Sequence, residues 1–236
     1  MGEGGCAHHG GFAVSRRELL LGEMGVLPMH PRSQPLVEER IPEPSSPVVE
    51  AKMGWDELKS SAEACTACPL HQGRNRVVVG VGNERADWLF IGEAPGAEED
   101  LKGEPFVGQA GKLLDNMLSS IGLSRKVVYI ANTVKCRPPG NRNPEPSEMA
   151  ACRHYLLRQI ELVEPKLIVI LGRVAAQSVL ETDATISSLR GRFHCFGDIP
   201  VLVTYHPAYL LRNTSDKAKA WADLCLARRK MAELSG

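Results

Sequence analysis

Four of the seven cysteines in this 236-residue chain are spaced as metal ligands are. Cys65 and Cys68 form a C-x2-C run closed by Pro69; 67 residues separate Cys68 from Cys136, and 15 separate Cys136 from Cys152. Two thiolates two residues apart can hold one metal between them, and two distant cysteines can complete an all-thiolate set. Zinc accepts such a set, although its structural sites usually use two close-spaced pairs. A C-x2-C-P start with scattered partners also suits an iron–sulfur cluster. Free cysteines packed in a core are the third reading. Spacing alone leaves the three open. Cys6, Cys195 and Cys225 show no comparable spacing.

The second concentration of chemistry is the stretch at 92–111, GEAPGAEEDLKGEPFVGQAG. Glycines suit positions where the backbone must bend with positive φ or let a ligand come close. An ordinary strand-to-helix connection is the plain alternative. Roughly twenty residues is long for one, and loops of that length in compact domains are functional or disordered. We read it as a binding loop.

The elements around these residues must bring them together. The apolar run WLFI at 88–91 reads as a strand, as do VVYI at 127–130, Leu167–Leu171 and VLVTY at 201–205. Phe193–Phe196 is placed to pair ahead of the last strand around Gly197-Asp198. Helical patterns cover Trp55–Ala64, 112–123, 147–164, 172–180 and 214–234. Alternating strands and helices predict a parallel sheet with helices on both faces. The expected architecture is a three-layer α/β/α fold around a central, mostly parallel four-stranded sheet. Gly92-Glu93, Asn132, Gly172-Arg173 and Tyr205-His206-Pro207 each follow one of the four strands. If the strands are parallel, all four groups converge on one edge, where open α/β sheets bind their ligands.

Composition narrows the function classes. Lys+Arg and Asp+Glu each total 28, so no field of one sign pulls the whole chain toward nucleic acid or acidic membranes. Residues 1–54 hold 5 Lys/Arg and 7 Asp/Glu, net −2, which leaves 23 and 21, net +2, for the remainder. Any nucleic-acid surface must be a local patch. No apolar run approaches the roughly 18 residues of a membrane span. An odd cysteine count does not suit a secreted disulfide scaffold. The front of the chain lacks a signal peptide's order. A soluble, intracellular protein is expected. Ser15 and Glu18 could cap a short helix over 15–21. Pro28, Pro31, Pro35, Pro42, Pro44 and Pro47 then read as a linker or a partner-docking arm. The expected division is an extension at 1–54 and a functional domain at 55–236.

Taken in order, GEAPGAEED, EPFVGQAG, ANTVKCRPPGNRNP, HPAYLLRN and the spaced cysteines resemble the family 4 uracil-DNA glycosylases. These are the iron–sulfur branch of the uracil-DNA glycosylase superfamily, and the resemblance runs over about 55–229. It implies a small parallel sheet flanked by helices and a [4Fe–4S] cluster on Cys65, Cys68, Cys136 and Cys152. The implied activity is hydrolysis of the N-glycosidic bond of deoxyuridine in DNA, releasing uracil and leaving an abasic site. Gly92 and Phe106 match the uracil pocket, with Phe106 as the aromatic that stacks on the flipped base. Asn132 matches the amide that reads uracil, since a side-chain amide offers both a donor and an acceptor. His206 matches the imidazole near uracil O2, where negative charge grows as the bond breaks.

Glu93 and Asn141 match positions that orient or activate water. The better-known members carry an aspartate in the first motif where Ala94 stands here, which leaves open whether Glu93 is base or electrostatic support. Glu98, Glu99 and Asp100 read as solvated or capping carboxylates. Tyr209, Leu210, Leu211 and Arg212 resemble the loop that wedges into DNA, with Lys135, Arg137 and Arg142 as further phosphate contacts. CRPPGNRNP carries neither the insertion nor the histidine of the branch that traps the excised site covalently. The resemblance also implies uracil-containing DNA as partner, a monomer, and a cytoplasmic, nucleoid-associated place of work in a prokaryote. A catalytically inactive iron–sulfur module that binds DNA or a partner is the alternative. An iron–sulfur electron carrier is a weaker one, having no need of a base pocket.

Overall fold

The structure, a computed structural model, describes residues 53–235. The helix expected at 15–21 and the proline-rich stretch lie outside the described residues. Helix α1 (Trp55–Ala64) begins where Glu57 accepts a hydrogen bond from the Gly54 N–H at 3.0 Å. A 3-10 turn at Pro69–Gln72 follows the first cysteine pair. Then come β1 (Val81–Gly82), β2 (Trp88–Gly92), α2 (Ala97–Lys102), α3 (Gln109–Ser120) and β3 (Val128–Asn132). The chain continues through α4 (Pro146–Val163), β4 (Leu167–Leu171), α5 (Arg173–Leu180) and α6 (Ile186–Leu189). It closes with β5 (Phe193–Phe196), β6 (Ile199–Thr204), α7 (Pro207–Arg212) and α8 (Lys217–Ser235).

The sheet has six strands in the order β1-β3-β2-β4-β6-β5, two more than the four expected. The four expected strands, β2, β3, β4 and β6, run parallel and form its centre. The additions are antiparallel edges: β1 on β3, and β5 on β6 across the turn at Gly197-Asp198. β1 has two residues and no apolar pattern of its own, so no periodicity could announce it. Strands β2, β3 and β4 are buried along every residue, as expected for parallel strands covered on both faces.

The alternation of side chains divides two cores. Trp88, Phe90, Val128, Ile130, Val169, Leu171 and Leu202 face Leu114 and Leu118 of α3 and Leu224 and Met231 of α8. Leu89, Ile91, Ala131, Ile168, Ile170, Val201 and Val203 face Leu156 and Ile160 of α4 and Ala175, Ala176 and Val179 of α5. Each large aliphatic side chain so buried contributes about 1.5–3 kcal/mol. The three-layer architecture is therefore present.

Element ends moved where local chemistry overrode pattern. Helix α3 starts three residues before position 112, capped by Gly108, and Gly122 with φ +82° stops it short of position 123. Helix α4 starts on Pro146, since proline suits a first helical position, and Glu148 accepts from the Glu145 N–H at 2.8 Å. The closing helix begins at Lys217 after a 3-10 turn at Thr214–Asp216. Two helices, α2 and α7, stand where loops were expected.

Candidate active site

At the carboxyl edge of the sheet the register sets Gly92 beside Asn132 and Leu171 beside Thr204. The segments leaving the four parallel strands enclose a cleft of about 560 Å3, lined among others by Glu93, Phe106, Asn132, Asn141, Arg173 and His206. The convergence expected from parallel strands is realised.

The floor is built on a missing side chain. A Cβ at Gly92 would stand 2.5 Å from Asn132 Oδ1 and 2.6 Å from Phe106 Cζ. Phe106 itself is buried and has φ +56°, a left-handed backbone that costs a phenylalanine about 1–3 kcal/mol. Strain of that kind persists where surrounding contacts enforce it. Asn132 is buried, and its Oδ1 is the one buried side-chain oxygen or nitrogen among the described residues without a hydrogen-bond partner. An orphaned acceptor of this kind costs about 1–3 kcal/mol, so it points to a donor on a ligand.

His206 lies across from the phenyl ring, with centroids 5.5 Å apart and planes at 31°. It caps α7, its Nδ1 accepting from the Ala208 N–H at 3.1 Å. That bond requires a lone pair on Nδ1 and puts the proton of the neutral ring on Nε2. Burial, aided by the positive charge of Arg212, lowers the imidazole pKa to about 4. At neutral pH, His206 is therefore an uncharged Nε2–H donor.

Glu93 is half-buried, and burial raises its carboxyl above the ordinary value while Arg173 pulls it back. Its carbonyl is pinned by the Thr133 hydroxyl at 2.6 Å and the Val134 N–H at 3.3 Å. A carboxylate of raised pKa is the stronger proton acceptor. Asn141, also left-handed at φ +56°, stands exposed at the rim, and Arg137 Nε donates to its Oδ1 at 2.7 Å. An amide so placed can orient water and cannot deprotonate it.

The long loop is clasped from within. Glu99 accepts from the N–H groups of Gly96 (3.1 Å), Val107 (2.9 Å) and Gly108 (3.1 Å), joining the two halves of the loop. Asp100 is buried and accepts from Asn75 N–H at 2.8 Å and Asn75 Nδ2 at 2.5 Å. Of the three carboxylates expected to be solvated or capping, Glu98 is exposed, Glu99 caps α2, and Asp100 is interior.

On the α4 side, Cys65, Cys68, Cys136 and Cys152 line one small cavity with His71, Arg74, Lys135 and Tyr155. Arg74 Nη1 donates to Cys136 Sγ at 3.2 Å, and the Lys135 N–H to Cys152 Sγ at 3.3 Å. Burial pushes the Cys152 thiol up to about 11 and raises Cys136 as well. Such sulfurs keep their protons at neutral pH unless a metal displaces them. Among the described residues, no three His, Cys, Asp or Glu side chains are placed to chelate a single ion.

Two expected DNA contacts, Leu210 and Lys135, are buried instead. Leu210 is 1% exposed and packs in the core with α3 and α8, because the wedge segment is the helix α7 and its pitch turns Leu210 inward and Leu211 outward. Leu211 is 43% exposed, and Tyr209 and Arg212 line the cleft. Lys135 is fully buried, donating through Nζ to Asn132 O at 2.7 Å and Gln159 Oε1 at 2.5 Å. Arg142 forks onto Glu148 at 2.7 and 2.9 Å. Arg142, Arg173 and Arg212 line the cleft as its cationic rim, whereas Arg137 is held against Asn141. Sequence reasoning assigned no site role to Arg173 or Arg74. Arg173 had one signal, its place directly after the third parallel strand; Arg74 had none.

One aromatic face, one unpaired amide acceptor and one imidazole donor thus meet at the carboxyl edge of a parallel sheet in an α/β protein, an arrangement with the shape and polarity to take a flat heterocycle. The family model of the uracil DNA glycosylase superfamily matches residues 79–225. The chain is 45% identical over 189 residues to the type-4 uracil-DNA glycosylase of Archaeoglobus fulgidus, covering 77% of this chain and 93% of that one. It is 50% identical over 164 residues to that of Thermotoga maritima, covering 69% and 85%. A type-5 uracil-DNA glycosylase of Pyrobaculum aerophilum is 33% identical over 150 residues, covering 56% and 66%. The chain belongs to the uracil-DNA glycosylase superfamily, in its type-4 group.

Proposed function

We propose that the protein is a monofunctional uracil-DNA glycosylase of DNA repair, which hydrolyses the N-glycosidic bond of deoxyuridine and leaves an abasic site. The observation that carries this is the orphaned Oδ1 of Asn132 beside the Phe106 ring. Uracil presents an N3–H donor next to an O4 acceptor, which the Asn132 amide pairs on both sides. Cytosine offers an acceptor at N3 and an amino group at position four, so both contacts fail. Discrimination built on buried hydrogen bonds is strong because the wrong base leaves them unmade.

The target nucleotide leaves the stack at a cost of a few kcal/mol, and Phe106 gives its base a new stacking face. As the C1′–N1 bond breaks, charge grows on uracil O2, and the Nε2–H of neutral His206 is the donor we assign to it. Glu93 is assigned to accept a proton from the attacking water or to support the cationic sugar, with Asn141 orienting that water. Tyr209, Leu211 and Arg212 are the DNA-facing residues of α7. The partner assigned to the cleft is uracil-containing DNA. No helix among the described residues is long and apolar enough to cross a membrane.

The four cysteines fit a [4Fe–4S] cluster. Their donor set is all thiol, and two N–H groups already point at sulfur. When bound, the cluster would serve as a covalent tie between the segment after α1, the segment after β3 and helix α4. The test is uracil release from a U:G duplex by the purified protein beside Asn132→Ala and His206→Ala. Release by the wild type, with large loss in both variants and an unchanged absorption spectrum, is expected. DNA binding without release would favour the inactive module.

A further inference from the structure

One peptide in the long loop is gripped from both ends by opposite charges. Phe106 is left-handed, so its own backbone would relax to negative φ if released. The carbonyl of the Phe106–Val107 peptide accepts from Arg125 Nη2, and the adjacent Pro105 carbonyl accepts from Arg125 Nη1 at 3.0 Å. The N–H of the same peptide donates to Glu99 at 2.9 Å. Arg125 lies between α3 and β3, outside every motif of the site, and Asp115 on α3 holds its Nε at 2.5 Å. The carbonyl can reach this position because residue 111 is glycine; a Cβ there would collide with Phe106 O.

From this we infer that Arg125 is a positioning residue for base recognition. Its guanidinium fork locks the Phe106–Val107 peptide so that the ring lies 5.5 Å from His206, at the wall where the flipped base must stack. The inference rests on the stacking role of Phe106 given above. Arg125 is not itself among the residues lining the cleft, so its effect reaches the base through the Phe106 peptide it holds. Glu99 grips the same peptide but also lines the cleft, which makes Arg125 the cleaner probe. Lysine keeps the charge without the fork, so it restores only part of the grip.

The test is a double-mutant cycle on uracil release. Arg125→Ala in the wild-type background is expected to lower kcat/KM by roughly thirtyfold, the size of a hydrogen bond to a charged group. In a Phe106→Ala background the same change should cost less than about threefold, because interacting residues are non-additive. Arg125→Lys should recover part of the loss. Full losses in both backgrounds would show a general structural role and overturn the inference, as would an unaffected Arg125→Ala. A crystal structure of Arg125→Gln gives a readout free of turnover. It is expected to show the Phe106–Val107 peptide rotated and the ring displaced from His206, and an unmoved ring overturns the clamp. A wild type that releases no uracil would sink the proposed function instead, while the crystal structure would still decide the clamp.

Discussion

Replacing Gly92 with alanine isolates the pocket from the fold. The residue ends β2 and is absent from the positive-φ glycines, so its backbone accepts alanine without strain. The new methyl would meet Asn132 Oδ1 at 2.5 Å and two Phe106 ring atoms at 2.6 and 2.8 Å. Real Cβ contacts are not that short, so the amide or the ring must give way. Base stacking on an aromatic is worth about 1–3 kcal/mol, and an unmatched buried amide about 1–3 kcal/mol. Taking the middle of both gives about 4 kcal/mol, or roughly a thousandfold in kcat/KM. Single-turnover release from a uracil-containing duplex reads the loss, with thermal melting and the absorption spectrum as controls. Activity within about threefold of wild type in a folded Gly92→Ala protein would mean that uracil is not read between Asn132 and Phe106.

Because the folded pKa of His206 is depressed to about 4, the unfolded chain takes up its proton first as pH falls below about 6.5. Stability is therefore lost between pH 6.5 and 4, by about 3 kcal/mol at most, and His206→Gln should flatten that part of a melting-temperature profile. With Glu93 raised, the acid limb of kcat/KM should lie above the ordinary carboxylate range; Glu93→Gln should abolish it and Arg173→Met should move it to still higher pH. Leu210→Ala should cost about 2–5 kcal/mol of stability as a cavity in the core, whereas Leu211→Ala should leave melting unchanged and weaken release from duplex DNA. Lys135→Met leaves Asn132 O and Gln159 Oε1 without their donor, and a fall in melting temperature corresponding to about 1–3 kcal/mol for each is expected by calorimetry.

The parallel core was legible because four apolar runs had the length and punctuation of strands buried on both faces. The carboxyl-edge site followed from that parallelism and needed no side-chain detail. What pattern could not show was the fate of charged residues whose partners are remote in sequence. Lys135 read as a surface cation, but its partner Gln159 lies on α4, 24 residues away. Asp100 read as a solvated or capping carboxylate, but it is interior and binds Asn75 from before the sheet. Helix α7 was hidden because the resemblance presented Tyr209 to Arg212 as a loop, whereas Pro207 opens a helix capped by His206. The short strand β1 depends on β3 for its existence. The strained φ of Phe106 has no trace in composition, since glycine is the usual occupant of that conformation.

The pairing of Gly92 with Asn132 has an evolutionary corollary. The dimension of the base pocket is set by which residues lie opposite at the strand ends, a backbone quantity that substitutions within the two cores leave alone. A lineage could exchange leucine for isoleucine or valine across β2, β3 and β4 for generations and keep the same lesion specificity. Deleting one residue from β3 would draw its end back by about 3.3 Å and turn Asn132 to the opposite face. Point changes at the strand ends thus alter the pocket residue by residue, whereas an insertion or deletion within β3 shifts its whole reading edge.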